Sequence, residues 1–309
     1  MEEAKKSEMT PIQSRLSNST FEIFVHPATG KETIFQHSAL CQTFFPYRNL
    51  GEDVKMWQQK QGLVNLAVSA TPILNPHTGL FEYAGIPYGP KARLILAYLN
   101  TQAVKKQNKM LDVEESMSAF IKSMGLNTDG RTIREVKEQI RRISTSNISL
   151  GFIQDERVKQ VDFKIVRAFE FWFPKDERQR VLWESSIELT DEYFESLVQH
   201  AIPLDERALA ALAHNAMALD IYAWLAQRLH RVDRFKPQFV GWQNLKEQFG
   251  MGYSEIRKFR QVFKKTLEIV KNQYLDAKFV VDDKKGMYLH NSPPPIPPKT
   301  RVFLGDNKF

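Results

Sequence analysis

The sequence predicts a mixed α+β fold that is mostly helical and is built from two similar units in tandem. Three observations carry this prediction. One pattern of apolar residues occurs near 90–146 and again near 216–272. Each copy ends in a basic amphipathic helix, and strand-like segments joined by turns follow each basic helix. This order is that of a winged helix, a DNA-binding module, so we predict two tandem winged-helix domains with β-hairpin wings.

The repeat is clearest in the first helix of each copy, where corresponding residues lie 126 positions apart. The first copy holds Ala92, Ile95, Ala97, Tyr98 and Leu99, and the second holds Ala218, Ile221, Ala223, Trp224 and Leu225. A shorter segment follows, with Phe120, Met124 and Gly125 matched by Leu245, Phe249 and Gly250. The basic segment beginning at Ile133 matches the one beginning at Ile256, 123 positions on. A slowly changing offset is expected where only loops differ in length.

Composition changes along the chain predict four parts. They are an N-terminal arm, partly disordered, over 1–60; winged-helix domain 1 over 61–200; winged-helix domain 2 over 201–291; and a proline-rich tail over 292–309. Residues 1–20 are polar and predict a mobile arm. Residues 21–60 contain apolar pieces without a sustained period, so no element is assigned to them. The prolines of the tail predict an extended polyproline conformation.

Turn and cap residues mark the elements of the first domain. The turn at 75–79 lies between strand candidates at 63–70 and 80–84 and predicts a hairpin or a corner. Gly89 and Pro90 begin the first long helix, because proline is favoured in a first turn. Gly125 ends the second helix, and a turn at 128–130 precedes the basic third. The elements that follow are strands at 147–153, 158–173 and 181–189, and a helix at 191–199 capped by Thr190.

The second domain begins at Pro203 with a helix, or a helix pair broken near 213–215, that continues to Arg231. Two further helices are predicted at 242–249 and 253–272. A final hairpin, with strands at 278–281 and 287–290, supplies the second wing.

Positive charge is concentrated in the two basic helices. Residues 130–146 hold five basic and two acidic side chains, and residues 253–272 hold six basic and two acidic ones. These segments account for the whole formal charge of +7, so the rest of the chain is neutral. A concentrated excess of this kind predicts a polyanionic partner, and two corresponding segments predict double-stranded DNA.

Each basic helix has an apolar stripe and a neighbouring basic stripe, as a recognition helix requires. The apolar stripes anchor the helices to the scaffold, and arginine or lysine on the other stripe can reach base edges or phosphates. We also predict that lysines at the turn of the second hairpin, the tip of the second wing, contact DNA. The predicted DNA-binding residues are Arg131, Arg134, Lys137, Arg141, Arg142, Arg257, Lys258, Arg260, Gln261, Lys264, Lys265, Lys284 and Lys285.

The sequence contains no recognisable catalytic or metal-binding motif, so we expect no enzyme activity, no cofactor and no metal. The single cysteine, Cys41, excludes an intramolecular disulfide and a thiolate metal cluster. The seven histidines have neither His-x-His nor His-x-x-x-His spacing, and no P-loop sequence is present. No apolar run approaches the length of a membrane span. We therefore expect a cytoplasmic protein without membrane contact.

Several segments resemble the plasmid replication initiators of the RepA C-terminal family. They are Gly85-Ile-Pro-Tyr-Gly-Pro-Lys-Ala-Arg-Leu-Ile-Leu-Ala-Tyr-Leu99, Pro203-Leu-Asp-Glu-Arg-Ala-Leu-Ala-Ala-Leu212, Ala218-Leu-Asp-Ile-Tyr-Ala-Trp-Leu-Ala-Gln-Arg-Leu-His-Arg231, Trp242 to Gly250, and Ser292-Pro-Pro-Pro295. The resemblance covers roughly residues 60–298. It implies an initiator that binds directly repeated origin sites called iterons, promotes opening of an AT-rich stretch, and recruits the host initiator and replicative helicase. It also implies an exchange between DNA-binding monomers and homodimers.

Two other functions remain open from the residues alone. A transcriptional repressor with the same fold would act at a promoter palindrome, whereas two unequal units on one chain suit a direct repeat, which needs no two-fold symmetry. A protein that uses its basic helices on an acidic protein partner would bind DNA with only a shallow salt dependence.

Overall fold

A computed structural model describes residues 9–61, 64–75, 77–112, 114–154, 157–169 and 186–297 of the chain. Within these ranges helices outweigh strands, and the strands form small sheets. The fold is therefore mixed, as predicted. None of the helices in the described ranges is both long and apolar enough to cross a membrane.

The segment before the first repeat is folded. Its elements are α1 (Pro11–Val25), β1 (Thr33–His37), a 3-10 turn (Ser38–Cys41), β2 (Met56–Gln61), β3 (Val64–Ala70), β4 (Pro72–Leu74) and β5 (Phe81–Tyr83). Helix α1 starts with a capping box between Thr10 and Gln13. Cys41, Phe44 and Phe45 lie buried in the core. The predicted mobile arm is therefore wrong for residues 11–20, and residues 1–8 lie outside the described ranges.

The first repeat and its insertions span 89–189. Its elements are α2 (Gly89–Lys106), β6 (Met110–Asp112), α3 (Glu114–Ser123), α4 (Gly130–Ser144), β7 (Ser146–Gln154), β8 (Arg157–Lys164), β9 (Val166–Phe169) and β10 (Ser186–Leu189). The helices agree with the predicted ones, and the Asp129 carboxylate caps α4 by accepting from the Thr132 N–H. The single strand predicted at 158–173 is wrong, because the chain breaks at the buried Ile165 and enters a different sheet. The remainder of that prediction, 170–173, lies outside the described residues, as do 181–185 of the third strand.

The connector and the second repeat complete the described chain. Their elements are α5 (Asp191–His200), β11 (Ala201–Asp205), α6 (Glu206–Leu212), α7 (Ala216–Arg228), a 3-10 turn (Leu229–Arg231), β12 (Gln238–Gly241), α8 (Trp242–Phe249), α9 (Ile256–Gln273), β13 (Phe279–Asp282) and β14 (Gly286–Leu289). The break predicted near 213–215 separates α6 from α7. The predicted Thr190 cap is present, because its hydroxyl accepts from the Tyr193 N–H.

The two repeats have the same topology. In the first, α2, β6, α3, α4, β9 and β10 follow in order, and the sheet order is β6-β10-β9. In the second, α7, β12, α8, α9, β13 and β14 follow in the same order, and the sheet order is β12-β14-β13. Each last strand lies in the middle of its sheet and pairs antiparallel with both neighbours. We refer to these as unit 1 and unit 2.

Unit 1 carries a second sheet that unit 2 lacks within the described ranges. Strands β7 and β8 are inserted between α4 and β9 and join β2 and β3 in the order β2-β3-β7-β8. The first hairpin after α4 is therefore not at the wing position, contrary to the prediction. The predicted hairpin around 75–79 is present, but its strands are β4 and β5, because β3 pairs with β2 and β7 instead.

A buried ion pair joins the first helices of the two units. Arg93 on α2 and Asp220 on α7 form two parallel hydrogen bonds, Nε to Oδ1 at 2.6 Å and Nη2 to Oδ2 at 2.7 Å. Arg93 also donates to the carbonyl oxygens of Phe45 and Gly89, so its charge has partners on every side. The pair fixes α2 against α7 and thereby one unit against the other.

The N-terminal helix and the proline tail both pack on this two-unit body. Arg15 on α1 donates to the carbonyl oxygen of Gly125 in unit 1 at 2.7 Å, and the Gln273 amide at the end of α9 donates to the carbonyl oxygen of Leu16 at 3.1 Å. At the start of the proline-rich segment, the Tyr274 hydroxyl donates to the carbonyl oxygen of Pro293 at 2.6 Å. Helix α1 and Pro293 are thus held by specific contacts.

Candidate nucleic-acid interface

Helix α9 divides its residues between a buried side and an exposed basic side. Phe259, Phe263, Leu267 and Val270 recur at intervals of three and four and are fully or almost fully buried. The opposite side exposes four predicted DNA-binding residues, Arg257, Lys258, Gln261 and Lys265. Arg257, Gln261 and Lys265 are spaced by four, so they form one row along the helix. The sequence prediction of a buried stripe beside a basic stripe holds for this helix.

Three side chains connect the hairpin turn of unit 2 to its helices. Lys264 on α9 forms an ion pair with Asp283 at 2.8 Å. The Trp242 indole N–H donates to the carbonyl oxygen of Asp282 at 2.9 Å. Arg260 reaches the carbonyl oxygen of Asp283 at 3.5 Å and lies over the Trp242 ring, 5.4 Å from its centre. The hairpin turn is thereby held beside the exposed row of α9, and Arg260 and Lys264 act partly as positioning residues.

The turn itself is ordered by an aspartate. The Oδ1 atom of Asp282 accepts the backbone N–H groups of Lys284 and Lys285 at 2.8 and 2.9 Å. These hydrogen bonds lower the pKa of Asp282 below its usual range, because they stabilise the carboxylate. The side chains of Lys284 and Lys285 are exposed at the tip. The two aspartates beside these lysines therefore position the tip.

Helix α4 has the same kind of apolar stripe, with Val136, Ile140 and Ile143 buried and Ile133 half-buried. Its basic side differs from that of α9. The fully exposed members are Arg131 and Arg134. Arg131 is paired with Glu135, which also bonds Lys91 of α2.

The C-terminal half of α4 is enclosed by neighbouring segments. Arg141 is partly buried and paired with Glu138 at 3.1 Å. Lys137 is half-buried, and loss of water around its ammonium group lowers its pKa. Gln139 is buried, and its side-chain oxygen accepts the Tyr88 N–H at 2.8 Å.

The structure contradicts the prediction that Arg142 is an exposed DNA-binding residue. Arg142 is 3% exposed and donates to the Glu138 carboxylate at 2.7 Å and to the carbonyl oxygen of Ile86 at 3.1 Å. It also donates to Asn49 and lies over the Tyr88 ring. Gly85 has a positive φ of 82°, and a Cβ there would lie 2.8 Å from the guanidinium. Arg142 therefore anchors α4 to the loop before α2.

Sequence reasoning missed the residues that hold these helices in place. Asn49 and Tyr88 lie far from α4 in sequence, and no sequence pattern relates Trp242 to the hairpin turn that it contacts. The one signal in the sequence is that Gly85 and Gly89 lie close to Tyr88, because glycines often mark places where a side chain approaches the backbone closely. In the part of the chain that the structure describes, no group of three or more histidine, cysteine, aspartate or glutamate side chains is arranged to hold a metal ion.

Comparison with known proteins identifies the family. The family model described as plasmid encoded RepA protein matches residues 86–244, which is just over half of the chain. The chain belongs to the RepA family. The matched range runs from the loop that encloses Arg142 to the start of α8, so it contains α4 and the junction between the units. No curated protein matches the chain significantly.

Two solved structures share the fold of this RepA-family chain, and both contain domains 2 and 3 of RctB. A selenomethionine derivative of these domains has a TM-score of 0.53 at 10% identity, covering 84% of this chain and 98% of its own. RctB residues 155–483 have a TM-score of 0.50 at 11% identity, covering 81% and 94%. At this identity the likeness concerns the fold alone. Because it covers 84% and 81% of this chain, it extends over parts of both units.

Proposed function

We propose that this RepA-family protein initiates plasmid DNA replication by binding directly repeated origin sites through two winged-helix units. The observation that carries the proposal is the surface of unit 2, where the exposed row of α9 lies beside a hairpin tip with two exposed lysines. A helix in the major groove and a hairpin on the adjacent backbone are the two contacts that a winged helix makes with duplex DNA.

The chemistry of the side chains on this surface indicates which of them can contact bases and which can contact phosphates. Arg257 can pair with guanine O6 and N7, and Gln261 can pair with adenine N6 and N7. Lys258 and Lys265 flank that row, and Lys284 and Lys285 extend it to the tip, where they suit phosphates. In unit 1, Arg134 is the candidate for a base contact and Arg131 for a phosphate.

The tandem arrangement supports a directly repeated site. The two units are held in one orientation by Arg93 and Asp220 and differ in their exposed basic residues. An asymmetric protein of this kind fits an asymmetric sequence, and several copies fit a direct repeat. Membership in the RepA family supports the same interpretation.

The rest of the proposal concerns what happens after binding. We propose that the protein acts in the cytoplasm without cofactor, metal or enzymatic activity of its own. Binding at several repeats would promote opening of the neighbouring duplex and recruit the host initiator and replicative helicase. A homodimer is proposed as a second state in which the protein does not initiate.

The test is a footprint of the full-length protein on the DNA flanking its own gene, at about 50 mM and about 200 mM salt. We expect protection of several direct repeats spaced near one helical turn, weakening steeply with salt as phosphate contacts are lost. Protection of one palindrome would replace the initiator with a transcriptional repressor. Absence of protection at both salt concentrations would contradict DNA binding altogether.

A further inference from the structure

The outer side of the sheet of unit 2 presents an apolar surface to solvent. In the register of this sheet, Phe239 on β12 pairs with Tyr288 on β14, which in turn pairs with Val280 on β13. Phe239 and Val280 are 47% and 57% exposed, and the rings of Phe239 and Tyr288 lie 4.9 Å apart. The neighbouring row, which contains Met287, faces the core instead. We call Phe239, Tyr288 and Val280 the aromatic face.

A loop that carries a further exposed aromatic residue precedes β12, at the end of the sheet remote from the hairpin tip. Phe235 is 96% exposed, although it lies in a loop whose shape is fixed. The Oδ1 atom of Asp233 accepts the backbone N–H groups of Phe235 and Lys236 at 2.7 and 2.9 Å. An aspartate turn of this kind holds the backbone in one shape, so the exposure of Phe235 is built into the loop.

Basic residues border the aromatic face. Arg234 and Lys236 flank Phe235 and are exposed. Lys278 directly precedes β13 and lies two residues before Val280, so the alternation of an extended chain places it on the same side of the sheet as Val280. Lys278 is exposed, and its carbonyl oxygen accepts the N–H of His290 across the sheet at 3.0 Å. Two adjacent and at least partly exposed aromatic rings, tilted by 46° to each other, lie beside these positive charges. This combination matches a partner with flat apolar faces on an anionic backbone.

We propose that the aromatic face and Phe235 bind an unpaired nucleic-acid strand. Base faces are available for stacking only where bases are unpaired, whereas every strand carries phosphates for Arg234, Lys236 and Lys278. Aromatic side chains on an open sheet surface surrounded by cations are a recurrent solution to this task. Bases would stack on Phe239, Tyr288 and Phe235, and the backbone would follow the basic border.

This surface is separate from the proposed duplex contact. The exposed row of α9 and the lysines at 284 and 285 meet at the hairpin tip, next to the pair Gly241 and Gly286. Phe235 lies beyond the opposite end of β12, where Gln238 pairs with Leu289. Duplex and single strand can therefore be held at once by unit 2. The proposal goes beyond the proposed function and stands without it, because strand binding requires no origin sequence.

The test measures binding of the full-length protein to a fluorescent oligothymidine and a fluorescent oligouridine of about 20 nucleotides, by anisotropy at low salt. The variants are Phe235→Ala, Phe239→Ala and both together. Phe24→Ala is the matched control, since Phe24 is a 77% exposed phenylalanine on α1. We expect losses of about fivefold or more for each single variant and more than about tenfold for the double variant. The control should bind as the wild type does.

The outcomes distinguish the sources of the strand and the two proposed surfaces. Binding of oligothymidine alone, oligouridine alone or both supports the proposal and identifies the strand as DNA, RNA or either. Loss of strand binding in the double variant with unchanged footprinting of the duplex shows that the surfaces are separate. The proposal is overturned if the wild type binds neither probe, or if the double variant, with an unchanged unfolding temperature, binds both as tightly as the wild type.

Discussion

Helices α4 and α9 occupy the same place in two units of the same topology, yet their basic residues are used differently. Arg142 corresponds to Lys265 in the repeat; Arg142 is enclosed by Glu138, Ile86 and Asn49, and Lys265 is exposed. The difference arises because the loop before α2 crosses the end of α4. At corresponding positions, the arginine of unit 1 therefore anchors its helix, whereas the lysine of unit 2 remains available to bind DNA. Counting charges along a helix does not distinguish an anchoring residue from a DNA-binding one.

The largest expected effect concerns the junction that both units share. Asp220→Ala removes the carboxylate that pairs with the buried Arg93 and leaves its charge largely unbalanced. We expect the free energy of unfolding to fall by about 3–5 kcal/mol, measured by denaturant titration. Asp191→Ala is the control, because it removes an exposed partner of Lys109 and should lower the free energy of unfolding far less than Asp220→Ala does. Equal losses in both variants would show that the junction does not fix the two units.

The next prediction sharpens the contrast between α4 and α9. Arg142→Ala should lower the free energy of unfolding by about 2–3 kcal/mol, because it leaves buried acceptors unpaired. Lys265→Ala should change it by less than about 0.5 kcal/mol, since the side chain is exposed. In DNA binding measured by anisotropy the order should reverse, with Lys265→Ala reducing affinity and its salt dependence. If Arg142→Ala reduces affinity without affecting stability, the comparison fails.

A third prediction compares the exposed arginines at corresponding positions 134 and 257. Arg257→Ala should weaken binding to the protected site by about 1–3 kcal/mol if its guanidinium reads a guanine. Arg134→Ala should have the smaller effect, because fewer exposed cations surround it on α4. The measurement is a titration of each variant with the footprinted sequence and with scrambled DNA. A larger loss for Arg134→Ala would make unit 1 the principal reader of sequence.

The smallest expected effect is at the hairpin turn of unit 2. Asp283→Ala breaks the ion pair between Asp283 and Lys264. Both of these side chains are at least partly exposed. The change in unfolding free energy should be below about 1 kcal/mol. Duplex affinity should change little or rise slightly, because Lys264 is released and one negative charge is lost at the tip. A large drop in affinity would instead mean that the position of the turn depends on this pair.

The interpretation from sequence succeeded where a signal is local. Apolar residues at helical spacing located α2, α4, α7, α8 and α9, and the cap residue Thr190 located the start of α5. The repeat predicted two units of one topology. Patterns within one segment suffice for these features because helix periodicity and capping act over a few residues.

The same reasoning failed where contacts are distant. The N-terminal segment was interpreted as an arm because its own pattern is weak, yet residues such as Arg15 bind groups more than a hundred positions away. The chain from 158 onward alternated as one strand, and only pairing with β7 on one side and β10 on the other divided it. Strand partners and buried polar contacts depend on which surfaces meet.

The sequence by itself determined the family, the duplicated helices and the presence of basic side chains at corresponding positions. Tertiary structure alone decided which of those side chains are exposed, because a loop from outside the repeat encloses Arg142 and none of the described segments encloses Lys265. It also brought Phe239 and Tyr288 together on an open side of a sheet. The physical reason is that charge and apolarity belong to a residue, whereas burial and partnership belong to its surroundings.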